Sequence, residues 1–406
     1  MHEQVLNQDP RTNEIAAPRS RSAAARASVV LLQTQAEAAG AQEISRILGR
    51  GLAAQGYDVH YGFFFRRTAA YDAQPNTFFC ARERPASPWQ LVRMFMALVR
   101  HLRHVQPDAV MCFQHYGNVV GTLAARLAGV RTVIVNRNSP KSLVPQWLHT
   151  LDLTLGVAGW FAAVVVNSSS VEKEYGSYPR RYRERVVRID HGFESKATGL
   201  SRDQARKGFG LPADVVLLGS AARLHPTKNL AAAVRLLAVR NWHLALAGQG
   251  AAREQLIDLA RSLGVLDRFH LVGELPANRI GDFLGALDVF VFPSLAETFG
   301  LAVVEAAQAG IPVVANDLDV LREVLAVDGE PCALFADVND TKAFAERVQR
   351  VIEDKDLRKH LTSRAPKLSS RYSLDVMVGR YAALIEAALS RPNSPAQHEP
   401  ATRHAN

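Results

Sequence analysis

Three cysteines in 406 residues, Cys80, Cys112 and Cys332, are too few and too scattered for a disulfide framework or a metal cluster, which fits a reducing cytosol. No apolar run reaches the ~18 residues that a spanning helix needs. The longest candidate, Leu153 to Val166, contains Thr154 and two glycines and reads as a core helix running into a strand. No apolar signal-peptide core precedes Ser28. Nothing reads as an Asp-x-Asp metal site. No aromatic-interleaved basic stretch is present, which argues against a nucleic-acid partner. What the chain has is apolar mass: a hydrophobic content of 48% is ample for real cores, and 406 residues are too many for one ordinary domain.

Charge is uneven. Residues 1–200 hold 24 Lys and Arg against 15 Asp and Glu, a net of +9, whereas residues 201–406 hold 24 of each. The plain reading is solubility, with several arginines in a disordered N-terminus, 1–27, matched by a disordered tail, 391–406. The sharper reading is attraction to an acidic surface, either anionic lipid or a phosphate-bearing acceptor. Between Trp89 and His104, the positions Leu91, Val92, Phe95, Met96, Val99 and Leu102 form an apolar stripe flanked by Arg93, Arg100 and Arg103. Such a helix either packs on a sheet with an arginine-rich solvent face or docks on an anionic membrane.

Strands and helices alternate twice. In the first half, apolar strands are expected at 28–32, 57–65, 108–113, 131–135, 163–167 and 186–189, with a helix at 117–128 and another carrying Ile44, Ile47, Leu48 and Leu52. Residues 194–211 are polar and read as an interdomain connection. The alternation then restarts, with strands at 215–219, 243–247, 270–272 and 288–292. Continuous apolar strands imply parallel sheets covered on both faces, and two such domains bind ligands in the cleft outside the carboxyl ends of their strands. A last helix, 374–389, carries Met377, Tyr381, Leu384 and Ile385 at helical spacing.

The most informative stretch is Pro293 to Glu305. A buried-looking strand enters a Pro-Ser turn, a helix is expected from near Thr298, and Gly310-Ile311-Pro312 stops it. A new helix end offers free N–H groups and a positive dipole to a phosphate. Carboxylates beside it, Glu297 and Glu305, suit hydroxyls that donate to them.

In this frame the chain resembles the family-4 retaining glycosyltransferases. The resemblance covers about 28–390 and rests on Arg223-Leu224-His225-Pro226-Thr227-Lys228, Leu246-Ala247-Gly248-Gln249-Gly250, Val272-Gly273-Glu274-Leu275-Pro276 and the Glu297-(seven residues)-Glu305 element. It implies an α/β GT-B fold, two facing Rossmann-like doubly wound domains. The acceptor domain would be 28–195, completed by a crossover helix at about 374–390, and the nucleotide-sugar donor domain 196–373. The implied reaction moves a hexose-type sugar, with retention, from a nucleotide diphosphate-sugar to a glycan or lipid-linked glycan in cell-surface polysaccharide assembly. No metal or other cofactor is expected. Arg223 and Lys228 would neutralise the leaving phosphates and Glu297 would meet the donor sugar. Glu305 would hold the ribose, and the backbone around Thr298, Phe299, Gly300 and Leu301 would meet the phosphates. Gly248, Gly250, Gly273 and Leu275 would line the donor site. On the acceptor side, Gly40, His115 and Arg137 are candidate acceptor or phosphate contacts, although Asn136-Arg137-Asn138-Ser139 stands where the family often has a histidine. The expected location is the cytoplasm, at the inner face of the cytoplasmic membrane as a peripheral protein. A catalytically idle sugar-nucleotide-binding or scaffold protein of the same fold is the alternative.

Overall fold

The computed structural model describes residues 26–36, 40–69, 71–137, 144–194 and 196–391. The expected disordered ends lie outside these, apart from Arg26, Ala27 and Arg391. Seven strands form the first sheet: β1 (Ser28–Ala36), β2 (Asp58–Arg66), β3 (Thr77–Ala81), β4 (Ala109–Phe113), β5 (Thr132–Arg137), β6 (Ala163–Val166) and β7 (Val186–Arg188). All pairings are parallel, in the order β3-β2-β1-β4-β5-β6-β7. The order reverses between β1 and β4, which opens a crevice at their carboxyl ends. β3 was not expected from the sequence. It is a half-buried edge strand of only five residues, Thr77-Phe78-Phe79-Cys80-Ala81.

Alternation along the strands assigns the two faces. Val29, Leu31, Met111 and Ile134 point to one side, where α1 (Gly40–Ala54) and the C-terminal helix Leu374–Ser390 cover them. Val30, Leu32, Val110, Cys112, Val133 and Val135 point to the other, covered by α2 (Pro88–Val105), α3 (His115–Leu127) and α4 (Gln146–Val157). α2 starts on Ser87, whose hydroxyl accepts from Gln90 N–H, with Pro88 in the first turn, and ends at Gln106 in the left-handed conformation. Its buried residues are Met94, Leu98, Val99 and Leu102. The stripe read from sequence is therefore turned about the helix axis: Leu91, Val92 and Met96 face solvent. Short α5 (Ser169–Glu174) and α6 (Arg180–Arg183) follow β6.

The polar segment read as a plain connection contains α7 (Arg202–Gly208), which begins with a reciprocal Ser201/Gln204 capping box. The second sheet comprises β8 (Leu217–Ala221), β9 (His243–Ala247), β10 (Phe269–Gly273), β11 (Val289–Phe292), β12 (Val313–Asn316) and the edge strand Leu334–Ala336, again all parallel, in the order β10-β9-β8-β11-β12-edge. Its reversal lies between β8 and β11. The helices α8 (Leu230–Val239), α9 (Arg253–Ser262), α10 (Ile280–Gly285), α11 (Leu301–Gln308) and α12 (Asp319–Val324) alternate with these strands.

The C-terminal helix packs against α1. Tyr57 Oη donates to Glu386 Oε1 at 3.1 Å, and Tyr381 Oη donates to Asn136 Oδ1 at 2.7 Å, both within the first domain. At the domain junction Phe193 N–H donates to Tyr372 O at 3.1 Å.

Arg137, expected to reach an anion, is 1% exposed. Its guanidinium pairs with Asp152 of α4 and donates to Tyr182 Oη at 2.8 Å, while Tyr182 Oη donates to the other Asp152 oxygen at 2.9 Å. That expectation is corrected: the charge is neutralised inside the first domain. Removing one partner of a buried pair strands the other charge, which costs about 3 to 5 kcal/mol. Asp152→Ala should therefore lower the denaturant-unfolding stability by that amount. The paired replacement Arg137→Met with Asp152→Leu should cost less. A single variant within about 1 kcal/mol of wild type would show that the pair does not hold α4 to the sheet.

Candidate active site

The crevice between β8 and β11 is bordered by the segments that follow those strands. After β8 the backbone passes Arg223 and enters a 3-10 turn, Pro226–Lys228. His225 Nδ1 accepts from Thr227 N–H at 3.3 Å, and Asn229 closes the turn in the left-handed conformation. Leu295 N–H donates to Thr227 O at 2.9 Å, tying this turn to the segment that follows β11. Asn316 Nδ2 holds that segment from β12 through Ser294 O, at 2.9 Å.

This bracing brings Lys228 and Glu297 together. Nζ of Lys228 donates to Glu297 Oε1 at 2.6 Å and lies 5.8 Å from the centroid of the Phe292 ring. Both side chains are largely buried. Arg223 lies on the same loop, exposed and without an ion-pair partner among the described residues. Gly248 explains how that loop is seated. A Cβ there would lie 2.0 Å from Ala222 O, and the two turns exchange Ala222 N–H to Ala247 O at 3.0 Å and Leu224 N–H to Gln249 O at 2.9 Å. Gly250 lies under Leu224 in the same way. These glycines serve close backbone contact beneath Arg223. Gly273 ends β10 beside them, its carbonyl accepting from Gly248 N–H at 2.7 Å, and Leu275 is partly buried just beyond.

The helix expected from near Thr298 starts three residues later, at Leu301. Thr298 and Phe299 form a bend, and Gly300 adopts φ 86, which a side chain would resist. The free N–H groups are thus those of Leu301 and the residues just after it, and Glu305 stands about one turn in, on a helix of eight residues. Burial pushes the Glu305 carboxyl up to about 7, with Lys196 opposing and Glu43 of α1 reinforcing the rise. Gly40, at the start of α1, meets the same helix end: a Cβ on it would lie 3.0 Å from Leu301 Cδ1. The starts of α1 and α11 therefore face each other across the cleft.

Side chains missed by the sequence reading link the domains here. Asn167, just past β6, uses Nδ2 to donate to His191 Nε2 at 3.0 Å and to Thr298 Oγ1 at 3.2 Å. Burial holds His191 down to about 4, so its ring is neutral and Nε2 is free to accept. Phe299, 2% exposed, packs edge-on against His191, Phe193 and Tyr372. Further out, Glu323 of α12 accepts from Ser169 N–H at 2.7 Å and Ser170 N–H at 3.0 Å and lies 3.1 Å from Arg188. Burial alone would raise the Glu323 carboxyl, but those N–H groups and Arg188 bring it below its ordinary value. No local sequence pattern marks these residues, because their partners lie far along the chain, from 24 positions for Asn167 and His191 to 154 for Ser169 and Glu323.

His115 opens α3 at the carboxyl end of β4. Burial and the nearby Arg137 charge hold it down to about 4, so it stands there uncharged. Two Asp-x-Asp spacings occur, Asp317/Asp319 and Asp354/Asp356, and the first aspartate of each is engaged within the chain. Asp317 is engaged by Arg322 at 2.7 Å, and Asp354 caps a helix through Leu357 N–H at 2.8 Å. Among the described residues no group of three or more His, Cys, Asp or Glu is placed to hold a metal.

Comparison with known proteins agrees with this geometry. Residues 38–196 match the model for Glycosyltransferase Family 4, and residues 201–368 the model for Glycosyl transferases group 1. A D-inositol 3-phosphate glycosyltransferase of Corynebacterium urealyticum is 28% identical over 59% of this chain and 59% of its own. A lipopolysaccharide core biosynthesis glycosyltransferase, LpsE, of Rhizobium meliloti is 30% identical over 50% of this chain and 58% of its own. The chain thus spans about six tenths of the length of these curated relatives. In fold it is similar to Anabaena HepE, solved in complex with UDP and glucose, with a TM-score of 0.77 and 18% identity over 89% of this chain and 100% of that one. Sucrose-phosphate synthase from Thermosynechococcus elongatus gives a TM-score of 0.74 and 19% identity over 89% of this chain and 99% of that one. With two adjoining family models spanning 38–368 on two facing parallel-sheet domains, the chain belongs to the group 1, family 4 glycosyltransferases of GT-B fold.

Proposed function

We propose that the protein is a retaining hexosyltransferase that moves a sugar from a nucleotide diphosphate-sugar to a glycan or lipid-linked glycan in cell-surface polysaccharide assembly. The observation that carries this is the Lys228–Glu297 contact at 2.6 Å, on the segments bordering the β8/β11 crevice and leading into α11. In the structure the cation and the acid neutralise each other. A donor separates their tasks: Lys228 turns to the diphosphate and Glu297 to the sugar hydroxyls. Departure of the nucleotide diphosphate concentrates negative charge on its oxygens. Fixed donors aimed there lower the barrier, since they need no reorganisation as the charge develops. Lys228, Arg223 and the first N–H groups of α11 supply them in place of a metal ion. Glu305, one turn into that helix, takes the ribose hydroxyls. Retention rests on the family's chemistry, and the acceptor class on the names of relatives that build lipopolysaccharide core and O-antigen. The diphosphate donor is favoured by fold neighbours solved with UDP or UDP-glucose. Among the described residues no helix is long and apolar enough to cross a membrane. We place the enzyme in the cytoplasm, peripheral to the inner face of the membrane.

A thermal-shift screen against UDP-, GDP- and ADP-sugars should find one that stabilises the protein in proportion to its concentration. With that donor, nucleotide diphosphate release should proceed unchanged in EDTA. Lys228→Ala should lower it about 10²- to 10³-fold, the usual effect of deleting one transition-state donor. Release by Lys228→Ala at the wild-type rate, or no stabilisation by any nucleotide sugar, would overturn the proposal.

The raised Glu305 carboxyl adds a pH dependence. Ribose hydroxyls favour the ionised acid, so donor affinity should weaken about tenfold from about pH 8 to about pH 6. Stability without donor should run the other way. The folded value, about 7, lies above the ordinary 4.5, so the stabilisation is complete below the lower figure and is lost as pH rises through the higher one. Glu305→Gln should flatten both trends; a variant that keeps the wild-type slopes would remove Glu305 from this role.

A further inference from the structure

The first domain carries an exposed apolar and basic face that the donor chemistry does not use. The helices α2, α3 and α4 lie side by side on one face of its sheet. Each follows a parallel strand, so their first turns sit level with the carboxyl edge of the sheet, at the lip of the cleft. The second residue of each is a large exposed aromatic: Trp89 at 74%, Tyr116 at 46% and Trp147 at 58% exposure. The rings of Tyr116 and Trp147 are 6.2 Å apart between centroids. Leu91, Val92 and Met96 of α2 and Leu151 of α4 are exposed beside them. Exposed aromatics at the helix starts with exposed apolar neighbours are the kind of side chains that sit in a lipid headgroup layer.

Charge identifies the occupant. Residues 82–157 contain nine Lys and Arg against three acids, Glu83, Asp108 and Asp152. Asp152 is consumed by Arg137, and Asp108 accepts from Ser28 N–H at 2.8 Å. Arg82, Arg84, Arg93, Arg100 and Arg103 are exposed on α2 and the segment leading into it, with Glu83 alone among them. Arg93 and Arg100 share the outward face of α2 with Trp89 and Met96, spaced by three, four and seven residues. Water is a poor cover for this apolar row, and the surrounding guanidinium groups would repel a cationic partner.

We propose that this face docks on an anionic lipid bilayer, with Trp89, Tyr116 and Trp147 in the headgroup layer and the α2 arginines on lipid phosphates. Docking at the lip of the cleft turns its mouth toward the membrane, where a lipid-linked acceptor is presented. The inference rests on the transferase reading for the acceptor alone. The docking stands on this surface and is measured separately from turnover.

The full-length protein should co-sediment with vesicles of phosphatidylcholine and phosphatidylglycerol in equal parts but not with phosphatidylcholine alone, and high salt should release it. Tryptophan emission should shift to the blue on binding. The combined Trp89→Ser and Trp147→Ser variant should lose the shift and partition about tenfold or more less. Arg93→Gln with Arg100→Gln should partition about tenfold less while keeping the apolar row. In both variants nucleotide diphosphate release with donor alone should match wild type, showing an intact fold and donor site. Binding that ignores lipid charge, or variants that bind as wild type, would overturn the proposal. So would a dimer in gel filtration that Trp89→Ser dissolves, since the face would then be a contact between copies. Loss of turnover with docking intact would count against the transferase reading instead.

Discussion

Phe299 is the contact on which the site depends. It lies two residues before α11 and is sunk among His191 and Phe193 of the first domain's last turn and Tyr372 at the return of the chain. Its burial fixes where the helix can begin, and so where the free N–H groups, Glu297 and Glu305 sit relative to the facing domain. A single large aromatic in a close-packed interior tolerates little displacement. The neighbouring Thr298 is held from the other side by Asn167, which also holds His191. A buried, neutral His191 is needed for that arrangement, because a charged ring would have no acceptor to offer Asn167. The start of α11 in one domain is therefore positioned by side chains of the other.

The charges fall into two classes that a count does not separate. Arg137 is a structural cation, locked to Asp152 and Tyr182 beneath α4. Arg223, on the loop after β8, is exposed, and Lys228 nearby is paired with Glu297. Burial makes the difference. A guanidinium removed from water needs its acid permanently, whereas one at the surface keeps its hydration and remains available.

Across the cleft the domains also meet through Glu323, which lies against the N–H groups of Ser169 and Ser170 as an internal anion. Together with the C-terminal helix on α1, it gives the two domains three separate points of attachment: the Phe299 junction, the Glu323 clasp and the returning helix.

Much of this was legible in the residue order. Apolar runs of strand length alternating with helical periods led to two parallel-sheet domains, because those periods follow from local backbone geometry. The elements around Arg223, Lys228, Gly248, Glu297 and Glu305 could be picked out in the sequence as well, since each is a short turn or helix start set by its own residues. The edge strand β3, only five residues long, and the small polar helix α7 escaped notice, their signals being too short to stand out. Which face of α2 is buried, whether Arg137 is free or paired, where α11 starts, and that Asn167, His191 and Glu323 join the domains were decided only by the tertiary structure. Those outcomes depend on which distant groups arrive beside a residue and how much water they exclude, and neither quantity is carried by its neighbours along the chain.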